Sequence, residues 1–319
     1  SVGLSYLNDT EQLGSRIINS LGNASAGFGT TSLFSRGENY FLSRVQKVSA
    51  NVNVEIFRNF LVGLNYSNSH IKSASPDQFS IDYFDQAQQS VQSNLVDNAA
   101  ELYMLFTPNR NIFGYGVERK PGTNLYPSFL LSYQKGLEIG AGSTTYSKLL
   151  FSYNQPLKLG KFGILNNTIE TGKIFGDAQL SVLSPVPANQ TYSLVANTFS
   201  LLNYYDFVVD QFLVGHFEHH FNGYILNKIP LIKKLKLRSV MTFRGVVGNI
   251  SESNIAINRS SIIYNAPKEL YYEYGFGVEN IGFGNLRVFR IDCIWSSEFV
   301  NPNNSSPNFG VRLGMSPDF

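Results

Sequence analysis

The chain has 319 residues, only 15% of them charged and 14% aromatic, with a net charge of +2. So small a charge leaves no electrostatic footprint for nucleic acid, the one cysteine excludes an intrachain disulfide and a cysteine metal cluster, and no apolar run of about 18 residues offers a membrane-spanning helix. A soluble protein carries about a quarter charged residues. Tyr, Phe, Asn and Ser in their place suit a surface that meets lipid along a belt and water elsewhere.

Val2, Leu4 and Tyr6 alternate with Gly3 and Ser5 and predict a short strand, and the Ser-, Gly- and Asn-rich residues 10–37 read as a loop. Ala50, Val52, Val54 and Ile56 against Asn51, Asn53 and Glu55, a tight turn at Arg58-Asn59, then Phe60, Val62, Leu64 and Tyr66 predict a hairpin with one apolar face. The Asp-, Gln- and Ser-rich residues 74–94 read as a long water-exposed loop. Alternation resumes at Ala100, Leu102, Met104 and Phe106, at Phe129, Leu131 and Tyr133, and at Leu149, Phe151 and Tyr153. A turn over Asn154–Lys161 leads to a strand near Phe162–Glu170, and residues 171–205 are irregular. Phe207, Val209, Leu213 and Phe217 mark the next strand, with Asp210, His216, Glu218 and His220 opposite. Further strands are predicted near Leu237–Ile250, Leu270–Val278 and Val288–Phe299.

The terminal stretch puts Phe309, Val311, Leu313 and Met315 on one face, Gly310, Arg312 and Gly314 on the other, and ends on Phe319 in phase with the apolar face. Outer-membrane β-barrels finish this way, and about twelve strands of near-spanning length point to an all-β transmembrane antiparallel barrel. With the last strand ending on the periplasmic side, Asn280–Asn285, Asn222–Leu235, Asn154–Gly160 and Arg58-Asn59 become periplasmic turns. Residues 10–37, 74–94, 171–205 and 251–269 become extracellular loops.

The stretch LYYEYGFGVENIGFGNLRVFRIDCIW (270–295) followed by SPNFGVRLGMSPDF resembles the closing strands of BamA-like outer-membrane assembly barrels. The stretch YYDFVVDQFLVGHFEHHFNGYILNKIPLIKKLKLRSV (204–240) is similar to an uncharacterised family of Bacteroidota outer-membrane proteins, a domain of unknown function usually preceded by a carboxypeptidase-regulatory-like β-sandwich. The resemblance implies that residues 1–319 are a single barrel domain, the C-terminal part of a sixteen-strand barrel whose first strands and periplasmic β-sandwich precede Ser1. It also implies that residues 171–205 stand where that superfamily folds a loop into the lumen. The superfamily's Val-Arg-Gly-aromatic motif is absent there, and the nearest text is ETGKIFGD (170–177).

His216, Glu218 and His220 share one strand face, about 7 Å apart at each step. Such a ladder could hold zinc or simply form the polar lumen wall any barrel needs. Arg290 and Asp292 should point into the lumen, where Arg290 pairs with an acidic residue or pins the inserted loop, and Cys293 should face lipid or a neighbouring chain. Lys228, Lys233, Lys234 and Lys236 interleave with Ile229, Leu231, Ile232 and Leu235. That connection is either a basic amphipathic segment at the inner headgroup layer or a long turn whose apolar residues start the next strand. No Gly-x-Ser-x-Gly elbow or phosphate cradle occurs, so catalytic, cofactor and metal residues are expected to be none and the chain is read as no enzyme. Expected partners are the lipid bilayer and other outer-membrane or periplasmic proteins, in a non-catalytic role in biogenesis or export. The alternative is a passive or gated pore for small solutes.

Overall fold

In the computed structural model, residues 1–13, 35–86, 88–114, 120–121, 125–139, 145–284, 286–297 and 307–315 are described. The alternating patterns form twelve strands of one antiparallel sheet: β1 (Val2–Gln12), β2 (Leu42–Phe57), β3 (Phe60–Ser73), β4 (Leu95–Phe106), β5 (Ser128–Gly136), β6 (Ser147–Lys158), β7 (Ile164–Phe175), β8 (Gln211–His220), β9 (Arg238–Asn249), β10 (Tyr271–Phe283), β11 (Leu286–Ser296) and β12 (Phe309–Met315). Each strand pairs with its sequence neighbour and there are no crossovers. The fold is all-β.

Several expected boundaries move because pairing continues past the most apolar residues. β1 runs on to Gln12 against Leu42, so the following loop starts later than residue 10. β6 extends through Asn154–Lys158, and the turn after it is the 3-10 turn Gly160–Phe162, so β7 begins at Ile164 rather than Phe162 and reaches Phe175. Val208–Val209 pair with Ser184–Pro185 in a separate small sheet, so β8 starts at Gln211. At the end carrying the Arg58-Asn59 turn, Asn59 adopts φ 67°, which Asn tolerates better than most residues. Connections at this turn end are not uniformly short, because residues 107–127 separate β4 from β5.

Period-two alternation gives the sheet two unlike faces. The outer face is apolar: Val52, Leu64, Leu102, Leu131, Leu149, Leu213, Phe276 and Ile291 are all exposed there. At the turn end this belt is edged by Phe57, Phe60, Phe106, Phe129 and Tyr153, a continuous aromatic run with centroid spacings of 4.7 to 6.5 Å. At the other, loop end it is edged across β9–β12 by Phe243, Tyr272, Tyr274, Trp295 and Phe309. From Phe60 to Tyr66 the belt is about 20 Å tall along the strand.

The inner face is concave, and the loop end of its interior is filled. Residues 176–210, between β7 and β8, fold inward and bury Ala178, Leu180, Phe199, Leu201, Leu202, Phe207, Val208 and Val209. Of these, Phe199, Leu202, Phe207 and Val209 pack with Leu150, Phe212, Val214, Val246 and Tyr271 from the wall, whereas Ala178, Leu180 and Val208 join a different cluster. A second cluster joins Val45 and Ile71 of β2 and β3 to Ile250, Ile262 and Tyr264 from beyond β9. Residues 74–94 are therefore not simply water-exposed: Phe79, Ile81 and Tyr83 sit in that cluster, and Arg259 and Ser261 donate backbone hydrogen bonds to Asp82 and Ser80 across the roof.

The inserted segment also meets the outer edge of β12. The Leu313 N–H donates to the Tyr192 carbonyl at 2.8 Å, and the Leu194 N–H donates to the Leu313 carbonyl at 2.6 Å. Gly314 allows this approach, since a Cβ there would lie 2.8 Å from the Leu194 side chain.

Leu202 is fully buried, so Leu202→Ala should cost about 2–5 kcal/mol. Equilibrium denaturant unfolding of the purified chain checks this, with Leu64→Ala on the outer face as the comparison that should cost less in detergent.

Candidate functional site

The interior carries its charges in two groups. The first grips the inserted segment at Ser200–Leu202. Glu273 on β10 accepts from the Ser200 N–H at 2.7 Å and the Leu201 N–H at 2.8 Å, while the Tyr271 hydroxyl donates to it at 3.0 Å. Arg244 on β9 donates to the Ser200 hydroxyl and lies 3.6 Å from Glu273. Arg312 on β12 donates through Nε to the Ser200 carbonyl at 3.1 Å, and also through Nη2. Arg36, entering from the β1–β2 connection, donates to the carbonyls of Asn189 at 2.9 Å and Leu202 at 3.2 Å. Burial pushes its guanidinium below the ordinary range, and the Glu273 charge opposes that shift.

These contacts follow from the pleat. Arg244 and Glu273 are directly opposed in the β9–β10 register, so an inward carboxylate and an inward guanidinium meet the same backbone turn. Gly310 precedes Arg312 by two residues on the same face, and a Cβ there would come 2.8 Å from Leu201. The segment holds its own shape through Asn189, whose amide donates to the Ser193 carbonyl at 2.6 Å and whose Oδ1 accepts from the Thr191 N–H at 3.0 Å. A buried charge without a partner is costly. The clasp resolves that cost by pairing its charges with each other and with main-chain groups of the segment.

The second group lies nearer the turn end and contains five residues. Arg290 makes paired contacts to Glu218 at 2.8 and 3.0 Å and to Asp292 at 2.8 and 2.7 Å. His220 bridges Glu218 at 2.8 Å and Glu279 at 2.9 Å. Arg290 thus pairs with acidic wall residues, and the pinning of the inserted loop falls to Arg244, Glu273 and Arg312. His216 stands apart from this group. It packs on the Phe199 ring at 5.4 Å, and neither of its ring nitrogens has a hydrogen-bond partner. The expected His216, Glu218, His220 ladder is therefore split between the two groups. Among the described residues no three His, Cys, Asp or Glu side chains converge as metal ligands.

Phe309, Val311 and Leu313 lie on the exposed outer face, in register with Trp295, Cys293 and Ile291, while Phe319 lies outside the described residues. Lys228, Lys233, Lys234 and Lys236 lie in the turn-end connection before β9. There Leu226–Lys228 form a 3-10 turn and Pro230–Lys233 a single helical turn. Leu231 is 80% exposed and Leu235 55%, and β9 begins only at Arg238, so these apolar residues do not start the next strand. Arg36, Ser200, Arg244, Glu273 and the role of Arg312 escape a reading of the sequence. Their one visible signal is a single charge on an otherwise small or aromatic strand face, as in FRGVV and YYEYG.

Residues 45–251 match the protein family described as "Family of unknown function (DUF5686) C-terminal domain". Among solved structures, BamA from Haemophilus ducreyi lacking POTRA domains 1–3 is similar, with 10% sequence identity and a TM-score of 0.47. The similarity covers 86% of this chain and 55% of that one, so the chain spans about half the length of the BamA chain it matches. No curated protein matches the chain in sequence.

Glu273→Ala removes the shared acceptor and leaves Arg244 buried beside no carboxylate, so it should cost about 3–5 kcal/mol. Limited proteolysis should then cut within residues 186–204 much faster than in the parent chain. The double variant Glu273→Ala/Arg244→Ala should recover part of the loss. Strict additivity of the two single effects would mean that the residues are not coupled.

Proposed function

The chain belongs to the DUF5686 C-terminal domain family, and on that premise we propose that it is a plugged outer-membrane β-barrel protein with a non-enzymatic role. It serves as an accessory to outer-membrane biogenesis or protein export within a larger complex. The observation that carries this reading is the filling of the interior by residues 176–210, whose apolar side chains are buried, whose backbone is held by Glu273 and Arg312, and whose Ser200 hydroxyl is held by Arg244. A solute channel needs a continuous water path, and a dry, clasped segment opposes one.

The membrane placement is supported by the apolar outer belt and its two aromatic edges, the arrangement that transmembrane barrels use at both interfaces. In this reading the turn end faces the periplasm and the loop end faces outward. The turn-end connection then presents Lys228, Lys233, Lys234 and Lys236 beside exposed Ile229, Leu231 and Leu235. A basic apolar segment of that kind suits the inner headgroup layer or a periplasmic partner. A further β-sandwich and additional strands ahead of Ser1 belong to the same proposal, as does the place in biogenesis, which rests on the likeness of residues 270–319 to BamA-like closing strands.

In planar bilayers the intact protein should show no steady large conductance. A variant lacking residues 186–204 should conduct, and a steady large conductance from the parent chain would instead favour the small-solute pore. Leu64→Arg at mid-belt should lower stability in liposomes by about 2–4 kcal/mol. A negligible change, measured by reversible unfolding from vesicles, would count against burial of that face in lipid. Purification in mild detergent should bring outer-membrane or periplasmic companions with the protein, and recovery of a lone chain would oppose the complex.

A further inference from the structure

The outer face carries one feature that the plugged wall does not use. On β2 the exposed row Val48, Val52, Val54 and Ile56 gives way toward the loop end to Gln46 and Arg44, and on β3 Leu64 and Tyr66 give way to His70 and Lys72. Register places Arg44 directly opposite Lys72, and Gln46 opposite His70. The wall thus turns from apolar to basic on adjacent rungs of two strands.

A short hairpin, Tyr83–Asp85 with Ser90–Gln92, closes over this patch. Its inward side anchors in the core through Tyr83, and its far side brings Gln88, Gln92 and Asn94 beside the basic rungs, bounding a half-open cavity of about 420 Å³. Gln92 is oriented there by hydrogen bonds from its amide to Gln88 at 2.9 Å and to the Ser90 hydroxyl at 3.0 Å. No acidic side chain lines the cavity, and Arg44 and Lys72 have no carboxylate partner among the described residues. The pocket is thus lined by two cations, an imidazole and four amides around an open space. It has room for an anion together with the ring that carries it.

Height on the wall identifies the ligand. His70 and Lys72 stand four and six residues beyond Tyr66, the last large apolar residue of the β3 row, or about 13 and 20 Å along the strand. In the membrane reading above, on which this inference rests, that is the level of the outward headgroups. A fork-shaped guanidinium and an ammonium on one rung match a tetrahedral, multiply charged oxyanion. We propose that this outer-face pocket binds the phosphate of a lipid headgroup in the outward leaflet, a phosphorylated glycolipid whose acyl chains run down the apolar belt beneath it.

The test uses the full chain in mild detergent. The probes are phosphatidylcholine nanodiscs doped with a phosphorylated glucosamine-disaccharide lipid, the same lipid after phosphatase treatment, and inorganic phosphate alone. The phosphorylated lipid should bind at least about tenfold more tightly than its dephosphorylated form. Arg44→Gln/Lys72→Gln should abolish that preference, whereas the equal charge loss in Lys233→Gln/Lys234→Gln at the turn end should leave it intact. Both pairs are surface changes, and an unaltered thermal unfolding profile verifies that each variant folds. Equal binding of the two lipids, or an unchanged preference in the Arg44/Lys72 variant, overturns the pocket. Inorganic phosphate binding as tightly as the lipid overturns the lipid assignment and leaves a soluble-phosphate site. Protease protection of the wall in liposomes reports the membrane reading separately. A chain that inserts yet ignores the phosphate refutes only the pocket, and a chain that fails to insert refutes the placement beneath it.

Discussion

The structure depends on one constraint: each wall strand has an exposed outer side and an enclosed inner side, and its side chains must suit both. Successive side chains of each wall strand leave the sheet in opposite directions, so a row of Val, Leu, Phe and Tyr on one side commits the other side to what lies between. Here, beside apolar ones such as Leu150, Phe212 and Val246, those intervening residues include many Gly, Ser, Asn, Arg, Asp, Glu and His. Once the sheet curls, they are enclosed and must find partners, because buried polar atoms left unpaired are costly. The concave side answers with two devices. Toward the turn end, Glu279, His220, Glu218, Arg290 and Asp292 satisfy one another. Toward the loop end, Glu273 and Arg312 are satisfied by main-chain groups of an inserted segment, and Arg244 by the Ser200 hydroxyl and Glu273.

That second device explains why apolar residues occur inside a wall whose outer face is also apolar. The inserted segment supplies Phe199, Leu202, Phe207 and Val209, and the wall receives them at Phe212, Val214, Val246 and Tyr271. The ionic contacts fix where the backbone sits, and the dry packing around it excludes the water that would weaken them. Small residues on the inner face follow the same logic. Gly310 and Gly314 stand where Leu201 and Leu194 come closest to β12, so their value lies in absent volume.

Most of the wall was legible in the sequence, because period-two alternation is local. It is written into each strand without reference to its neighbours, as in Phe60, Val62, Leu64 and Tyr66. Strand ends were less legible: β7 continues through Thr171, Lys173 and Phe175 on its outer row, and the polar residues there hide the periodicity, although Lys173 covers the Phe175 ring at 5.2 Å. Phe79, Ile81 and Tyr83 keep a spacing of two within a stretch otherwise rich in Asp, Gln and Ser, so average composition misread a buried strip as a loop in water. The clasp was the least legible part. Glu273 meets a backbone turn 72 and 73 residues away, and Arg312 reaches back 112 residues. Such partners are specified by sheet register and curvature, which no local pattern contains.

The reach of Arg312 also sets an order of events. The segment it holds lies between β7 and β8, yet its grip on Ser200 and the edge contacts at Leu313 come from the final strand. Contacts 112 residues apart form more slowly than pairings between adjacent strands. The inserted segment is therefore fully held only when β12 is in place, so one strand edge both continues the wall and fastens what lies inside it.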